Sequence, residues 1–349
     1  MYMPQLTTDL SSKILSIFSD IEKDIPNGVS GLYERRLEIG SCVPIYFGIE
    51  SPANLLQISV VIPRVFYHLI SLDETEGFAL SISGEKSSGT SFKLCIHLLD
   101  KRFYELFLVL LQDLVETIVK QSEVRPAIEN FVERIEHWKR FLKKSTKRVL
   151  SYEEQIGLVG ELCMLKNLIK IHGQNSALNS WKGPLGAAQD FVCSGALVEV
   201  KSSTISHQNE IKISSEYQLD VEGKDKIYLC HCVFEVNDEL TSDSTLPYLV
   251  DEISRELTQE LNVKFHGLLK CVGYFPDDED LYKSNMFKLI KTSFYFVSDD
   301  FPKLASSQLP KPIFQVTYRI STETLNGFLV DMNEVITIFF NQETFLRHL

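Results

Sequence analysis

The chain has 349 residues, 44% of them hydrophobic and 23% charged, with a formal net charge of -12. That mix fits a soluble globular protein with a sizeable core and excludes a disordered or fibrous chain, and the length points to two domains. The acidic balance excludes a protein that coats nucleic acid indiscriminately, because non-specific affinity comes from basic side chains set against phosphates.

From residue 1 to about 100 the pattern is a small α+β module. Val43 to Ile49, Leu55 to Ile62, Phe78 to Ile82 and Phe92 to Leu98 are β-rich runs bounded by Gly, Pro and Ser. Gly84-Glu85-Lys86-Ser87 resembles the end of a phosphate loop, but the earlier glycine is missing, so a hairpin loop is the reading. Phe103 to about Leu150 turns helical, with a break expected at Pro126. No run of about 18 uninterrupted apolar residues occurs, so no membrane span is expected. Nor is a secretory leader visible, and seven singly scattered cysteines suit reduced thiols; together these predict a cytoplasmic protein.

The second helix ends in a basic run, Arg134 to Arg148, with seven Lys and Arg and one acid, Glu136. On a helix Lys139, Lys143 and Lys147 form one i, i+4 row and Arg140, Lys144 and Arg148 the next, a positive ridge on which a phosphate backbone could lie. A solvated helix face is the alternative. The expected division is an N-terminal domain over 1–100, a helical connector over 101–150, and a third region over 151–349.

Beyond residue 150, Ser151-Tyr152-Glu153-Glu154 has the form of a capping box and opens a helix with Leu158, Leu162, Leu165 and Ile169 on one stripe. Glu161 sits beside that stripe. A carboxylate on a partly apolar face is costly to bury unless paired or bound to a metal. Further on, a helix near Pro247 to Leu261, strands near Leu268 to Phe275, Phe287 to Val297 and Ile313 to Ile320, and an apolar segment near Gly327 to Phe340 are expected. Asp277-Asp278-Glu279-Asp280 reads as an exposed loop.

The residues that carry chemistry lie between 189 and 201. Ser194-Gly195 is a plausible two-residue turn between β-prone segments. It would set Cys193 opposite Ala196, Val192 opposite Leu197, Phe191 opposite Val198 and Asp190 opposite Glu199. Like charges so placed repel, and a divalent cation offsets the repulsion. Lys201, two residues past Glu199, falls on the same face, while Val198 and Val200 face the other way, toward a helix. Two acids and an amine on one face suit phosphodiester hydrolysis: metal to activate water and neutralise charge, lysine to orient it. A bare D-x8-E-x-K string arises by chance in roughly 10% of such chains, so the joint pattern is what counts. Glu161 is the expected third acid, and Val200 completes the expected metal set of Asp190, Glu199, Val200 and Glu161. Cys230-His231-Cys232 lacks a second ligand pair for zinc and reads as core thiols, and Trp181 and Phe191 read as packing residues.

Gly157-Leu158-Val159-Gly160-Glu161-Leu162, Trp181-Lys182-Gly183-Pro184, Gln189-Asp190-Phe191 and Glu199-Val200-Lys201-Ser202-Ser203 together resemble a family of PD-(D/E)XK proteins encoded in bacterial restriction or defence-type loci. The resemblance covers most of the chain, though Gln189 stands where the motif name has Pro. It implies an α/β (α+β) restriction-endonuclease-like fold, a mixed sheet flanked by helices and preceded by a smaller β-rich domain. It also implies cleavage of DNA with Mg2+ or Mn2+, helicase or ATPase partners from the same locus, and a homodimer as one arrangement. The catalytic set it implies is Asp190, Glu199, Lys201 and Glu161. A non-catalytic DNA-binding or scaffolding subunit with the same fold is the alternative.

Overall fold

A computed structural model describes residues 6–335 except 27, 73, 74, 76, 84–88, 146–148, 194, 222–225, 238–240, 242 and 243, and leaves the side chains of 6–9 and 141–145 undescribed. The Gly84–Ser87 loop therefore lies outside the described residues. In chain order the first elements are helix α1 (Leu6–Asp24), strands β1 (Gly31–Arg36), β2 (Ile45–Ser51), β3 (Leu55–Pro63), β4 (Phe78–Ser83) and β5 (Ser91–Leu98), and helices α2 (Tyr104–Val119) and α3 (Val124–Ser145). They are followed by helices α4 (Tyr152–His172) and α5 (Gln174–Ser180) and strands β6 (Phe191–Cys193), β7 (Ala196–Thr204), β8 (Glu210–Ile213) and β9 (Lys226–Glu235). Helices α6 (Leu246–Glu256) and α7 (Gln259–Cys271) and strands β10 (Lys288–Phe296), β11 (Tyr318–Ser321) and β12 (Leu329–Val330) complete the order. Packing divides the chain into two compact units, Met1–Arg148 with Asn262–Gly273, and Val149–Leu261 with Tyr274–Leu349.

In the first unit β1-β2-β3-β5-β4 form a wholly antiparallel sheet. The β-rich runs expected there form β2, β3, β4 and β5, which bury Phe47, Ile49, Ile58, Val60, Leu80, Leu94 and Ile96. Phe18 of α1 meets Phe47 edge-on at 5.3 Å. The break between α2 and α3 falls at 120–123, so Pro126 stands in the first turn of α3, where its missing N–H costs nothing.

The run Leu268 to Phe275, expected as a strand, is a correction: its first half ends α7, packed on α2 so closely that a Cβ on Gly267 would lie 2.5 Å from the Glu105 carbonyl oxygen. A short apolar run has no period of its own, and tertiary packing chose helix. The helix expected over Pro247 to Leu261 is interrupted after Glu256, where Leu257 turns extended. Of the strand expected over Ile313 to Ile320 only the end is strand, from Tyr318.

The second unit holds the sheet β12-β10-β9-β7-β6, in which β7 and β9 are parallel and the other neighbours antiparallel. A small antiparallel pair, β11-β8, contributes Ile211, Ile213 and Ile320 to an apolar cluster with Leu197, Ile227, Leu229 and Tyr295. Helix α4 begins at the predicted capping box, with the Ser151 hydroxyl accepting from the Glu154 N–H and the Glu154 carboxylate accepting from the Ser151 N–H at 2.7 Å. It stops at Gly173, whose φ of 82° suits glycine. Gly160 sits against β7, with a Cβ there only 2.2 Å from Ser202 Oγ. Among the described residues no helix is long and apolar enough to cross a membrane.

Candidate active site

The β6–β7 hairpin has the predicted register: Phe191 pairs Val198, Val192 pairs Leu197, and Cys193 pairs Ala196. The ladder ends at Phe191, one residue short of the expected pair of Asp190 with Glu199. The Asp190 Oδ2 accepts the Val200 N–H at 2.8 Å. In an extended strand the N–H and C=O of one residue point to the same neighbour, so the Val200 carbonyl also faces the side where β6 has ended. Gly195 turns the hairpin with φ 107°.

The main chain of Asp190 is held from the preceding turn, since the N–H groups of Lys182 and Gly183 both donate to its carbonyl oxygen, at 2.7 and 2.9 Å. The Gln189 side chain, in the place of the motif's Pro, donates to the carbonyls of Tyr217 and Gln218 at 2.9 and 3.0 Å. Gln218 in turn accepts from the Ser214 N–H. Neither residue meets the acids; they brace the segment that carries Asp190.

Glu199 is 1% exposed. Its Oε1 lies 2.6 Å from Lys201 Nζ, and its Oε2 has no hydrogen-bond partner among the described residues. Glu161, on α4, accepts the Trp181 indole N–H on Oε2 at 2.7 Å. Three carboxyl groups from three elements thus converge beside one amine. Burial first, then Asp190 and less strongly Glu199, hold the Glu161 carboxyl well above the ordinary range, against the pull of the Trp181 N–H and of Lys201. Burial also raises Asp190 against the pull of Lys201 and the Val200 N–H. Glu199 is pushed up to about 8 by burial, with Asp190 adding to the push and Lys201 opposing it. Burial works to lower Lys201, but Glu199, Asp190 and Glu161 more than offset it and its pKa is raised.

An orphaned buried oxygen and three acids that resist joint ionisation form a donor set suited to a hard cation, which takes carboxylate and carbonyl oxygens and keeps several waters. Among the described residues no group of three or more His, Cys, Asp or Glu side chains stands at metal-ligand spacing.

The basic ridge needs correction at one position. Lys139 is buried, 2% exposed, and its ammonium donates to the Ser71 carbonyl at 2.7 Å and pairs with Glu136 at 2.8 Å. Arg140 is exposed. The side chains of Lys143 and Lys144, and Lys147 and Arg148 altogether, lie outside the described residues. Cys230 and Cys232 are buried, 3.9 Å apart through sulfur, as core thiols.

A mixed sheet with D-x8-E-x-K on a hairpin, backed by a helix that turns a glutamate toward it, defines the PD-(D/E)XK nuclease fold. Residues 16–323 match the family model "Putative PD-(D/E)XK family member, (DUF4420)", and the chain belongs to that family. The superfamily consists in general of nucleases and other phosphodiesterases, which typically use divalent metals. No curated protein and no solved structure matches the chain.

Proposed function

We propose that this protein is a DNA endonuclease that hydrolyses phosphodiester bonds with Mg2+ or Mn2+ within a prokaryotic restriction or anti-phage defence system. The observation that carries the reading is the convergence of Asp190, Glu199 and Glu161 with Lys201, all four shifted by burial and by one another. Asp190, Glu199 and Glu161, with the Val200 carbonyl, would hold the cation, which when bound polarises the phosphoryl oxygen and eases ionisation of water.

The chain's own groups do the rest. Lys201 holds its ammonium 2.6 Å from Glu199 Oε1, and its role would be to orient the attacking water and to balance charge on the phosphoryl oxygens. The Val200 N–H anchors Asp190 so that only Oδ1 is left to turn. With a net charge of -12, DNA contact must be local, and Arg140, Lys143, Lys144, Lys147 and Arg148 are the proposed phosphate contacts. A helicase or ATPase from the same locus and a second copy of the chain are the proposed partners.

One observation favours a second reading, a nuclease-fold DNA-binding or scaffolding subunit without turnover: Lys201 is already paired with Glu199, and no ready cluster of three ligands stands among the described residues. Plasmid nicking with Mg2+ or Mn2+ decides between them, run on the wild type and on Asp190→Ala, Glu199→Gln and Lys201→Ala. Each variant should lose about 10²–10³-fold or more in rate. Wild-type rates in both the Glu199 and Lys201 variants would end the catalytic assignment, and absence of calorimetric Mn2+ binding that depends on Asp190 would favour the scaffold.

A further inference from the structure

Trp181 is fully buried, and its indole N–H, which needs a partner there, donates to Glu161 Oε2 at 2.7 Å. The next two residues donate their N–H groups to the Asp190 carbonyl, and Trp181 itself bridges to Phe191 across the start of the hairpin. One short turn therefore grips the main chain that bears Asp190 and the side chain of Glu161, two acids carried on different elements.

Gly183 lies where the two side chains meet. A Cβ placed on it would be 2.9 Å from Asp190 Oδ1 and 3.3 Å from Glu161 Oε2, so both oxygens border the space above its Cα. Asp190 Oδ2 is taken by the Val200 N–H, which leaves Oδ1 as the oxygen facing Glu161. Pro184, at the start of a 3-10 turn, and Gly186, left-handed with φ 76°, fix the shape of the turn that follows. The backbone of the turn and the indole thus each hold one member of the carboxylate pair.

We propose that Trp181 is a positioning residue: its indole N–H fixes Glu161 near Asp190 Oδ1 above the Cα of Gly183, and the Trp181–Gly183 turn sets the spacing at which these two carboxylates would help to hold a cation. The inference rests on the metal-dependent reading given above. It adds that this turn, which contributes no ligand, tunes cation affinity.

The chain has two tryptophans, so a 15N-labelled sample gives two indole N–H resonances, with Trp138 as an internal control because its N–H donates to Asp113. Glu161→Gln should shift the Trp181 resonance and leave that of Trp138 in place, and Mg2+ titration should do the same. Trp181→Phe should bind Mn2+ about tenfold more weakly, the loss expected for one hydrogen bond to a charged group, and Gly183→Ala should also bind it several-fold more weakly because the new Cβ would crowd Asp190 Oδ1 at 2.9 Å. In cleavage they should lower kcat with the KM for DNA unchanged.

If Trp181→Phe does not fold, Gly183→Ala and the indole titration still decide. Wild-type Mn2+ affinity in Gly183→Ala, or a Trp181 resonance unmoved by Glu161→Gln, overturns the positioning role while leaving the site intact. A wild-type protein that binds no divalent cation instead removes the metal-dependent reading, and this inference with it.

Discussion

Glu199 offers a test that needs no substrate. Its carboxyl is 1% exposed and its pKa is pushed up from 4.5 to about 8, so the charged form is disfavoured in the fold. The folded pKa lies above the unfolded one, so the group's contribution to stability is full below about pH 4.5 and is lost as pH rises through about 8. At 1.36 kcal/mol for each pH unit, the loss relative to a group that cannot ionise is about 3 kcal/mol at pH 7 and approaches about 5 kcal/mol above pH 8. Glu199→Gln should therefore stabilise the metal-free second unit, increasingly so between pH 5 and 8.5. The gain will fall short of those figures because the substitution also removes the ion partner of Lys201. Hydrogen exchange of the amides of β7 and β9, followed by mass spectrometry in EDTA at several pH values, reads the local opening free energy. Saturating Mg2+ should narrow the difference, adding about 2.7 kcal/mol to the wild type at a hundred times its Kd and little to the variant. A variant no more protected than the wild type at pH 8.5, or equally stabilised by Mg2+, would refute the account of Glu199 as a buried acid waiting for a cation.

Two further outcomes follow from packing. Gly160→Ala should cost about 1–3 kcal/mol, because the new Cβ meets Ser202 Oγ at 2.2 Å, and Ser202→Ala, which removes a buried hydroxyl with no hydrogen-bond partner among the described residues, should be neutral or stabilising and should rescue it; additive effects in the double variant would contradict the contact. Lys139→Ala and Arg140→Ala should separate stability from binding. The first should lower the denaturation midpoint, since it removes a buried side chain and its hydrogen bond to the Ser71 carbonyl, and leave DNA affinity unchanged, while the second should keep the midpoint and weaken binding with a salt slope reduced by about 1; a reversal of these roles in melting and fluorescence-anisotropy measurements would return Lys139 to the ridge.

What the amino-acid order determined alone were the features whose partners are close in the chain. The Ser194-Gly195 turn and period-two alternation set the register of β6 against β7, and Ser151 with Glu154 marked the start of α4. The hairpin put Glu199 and Lys201 on one face, and the apolar stripe beside Glu161 flagged a carboxylate in need of a partner. Tertiary structure decided the rest. Lys139 reads as a surface position on its own helix but is buried, with Glu136 and the carbonyl of Ser71, far off in sequence, meeting its ammonium. Leu268 to Cys271 became helix because α2 offered a groove that admits Gly267. The Asp190 carboxylate gained a partner that the hairpin pattern did not announce, the Val200 N–H just past the end of the ladder. Trp181, which reads as plain packing, acquires its hydrogen bond to Glu161 only when a helix and a hairpin close around one turn, and no local propensity encodes a contact made by closure.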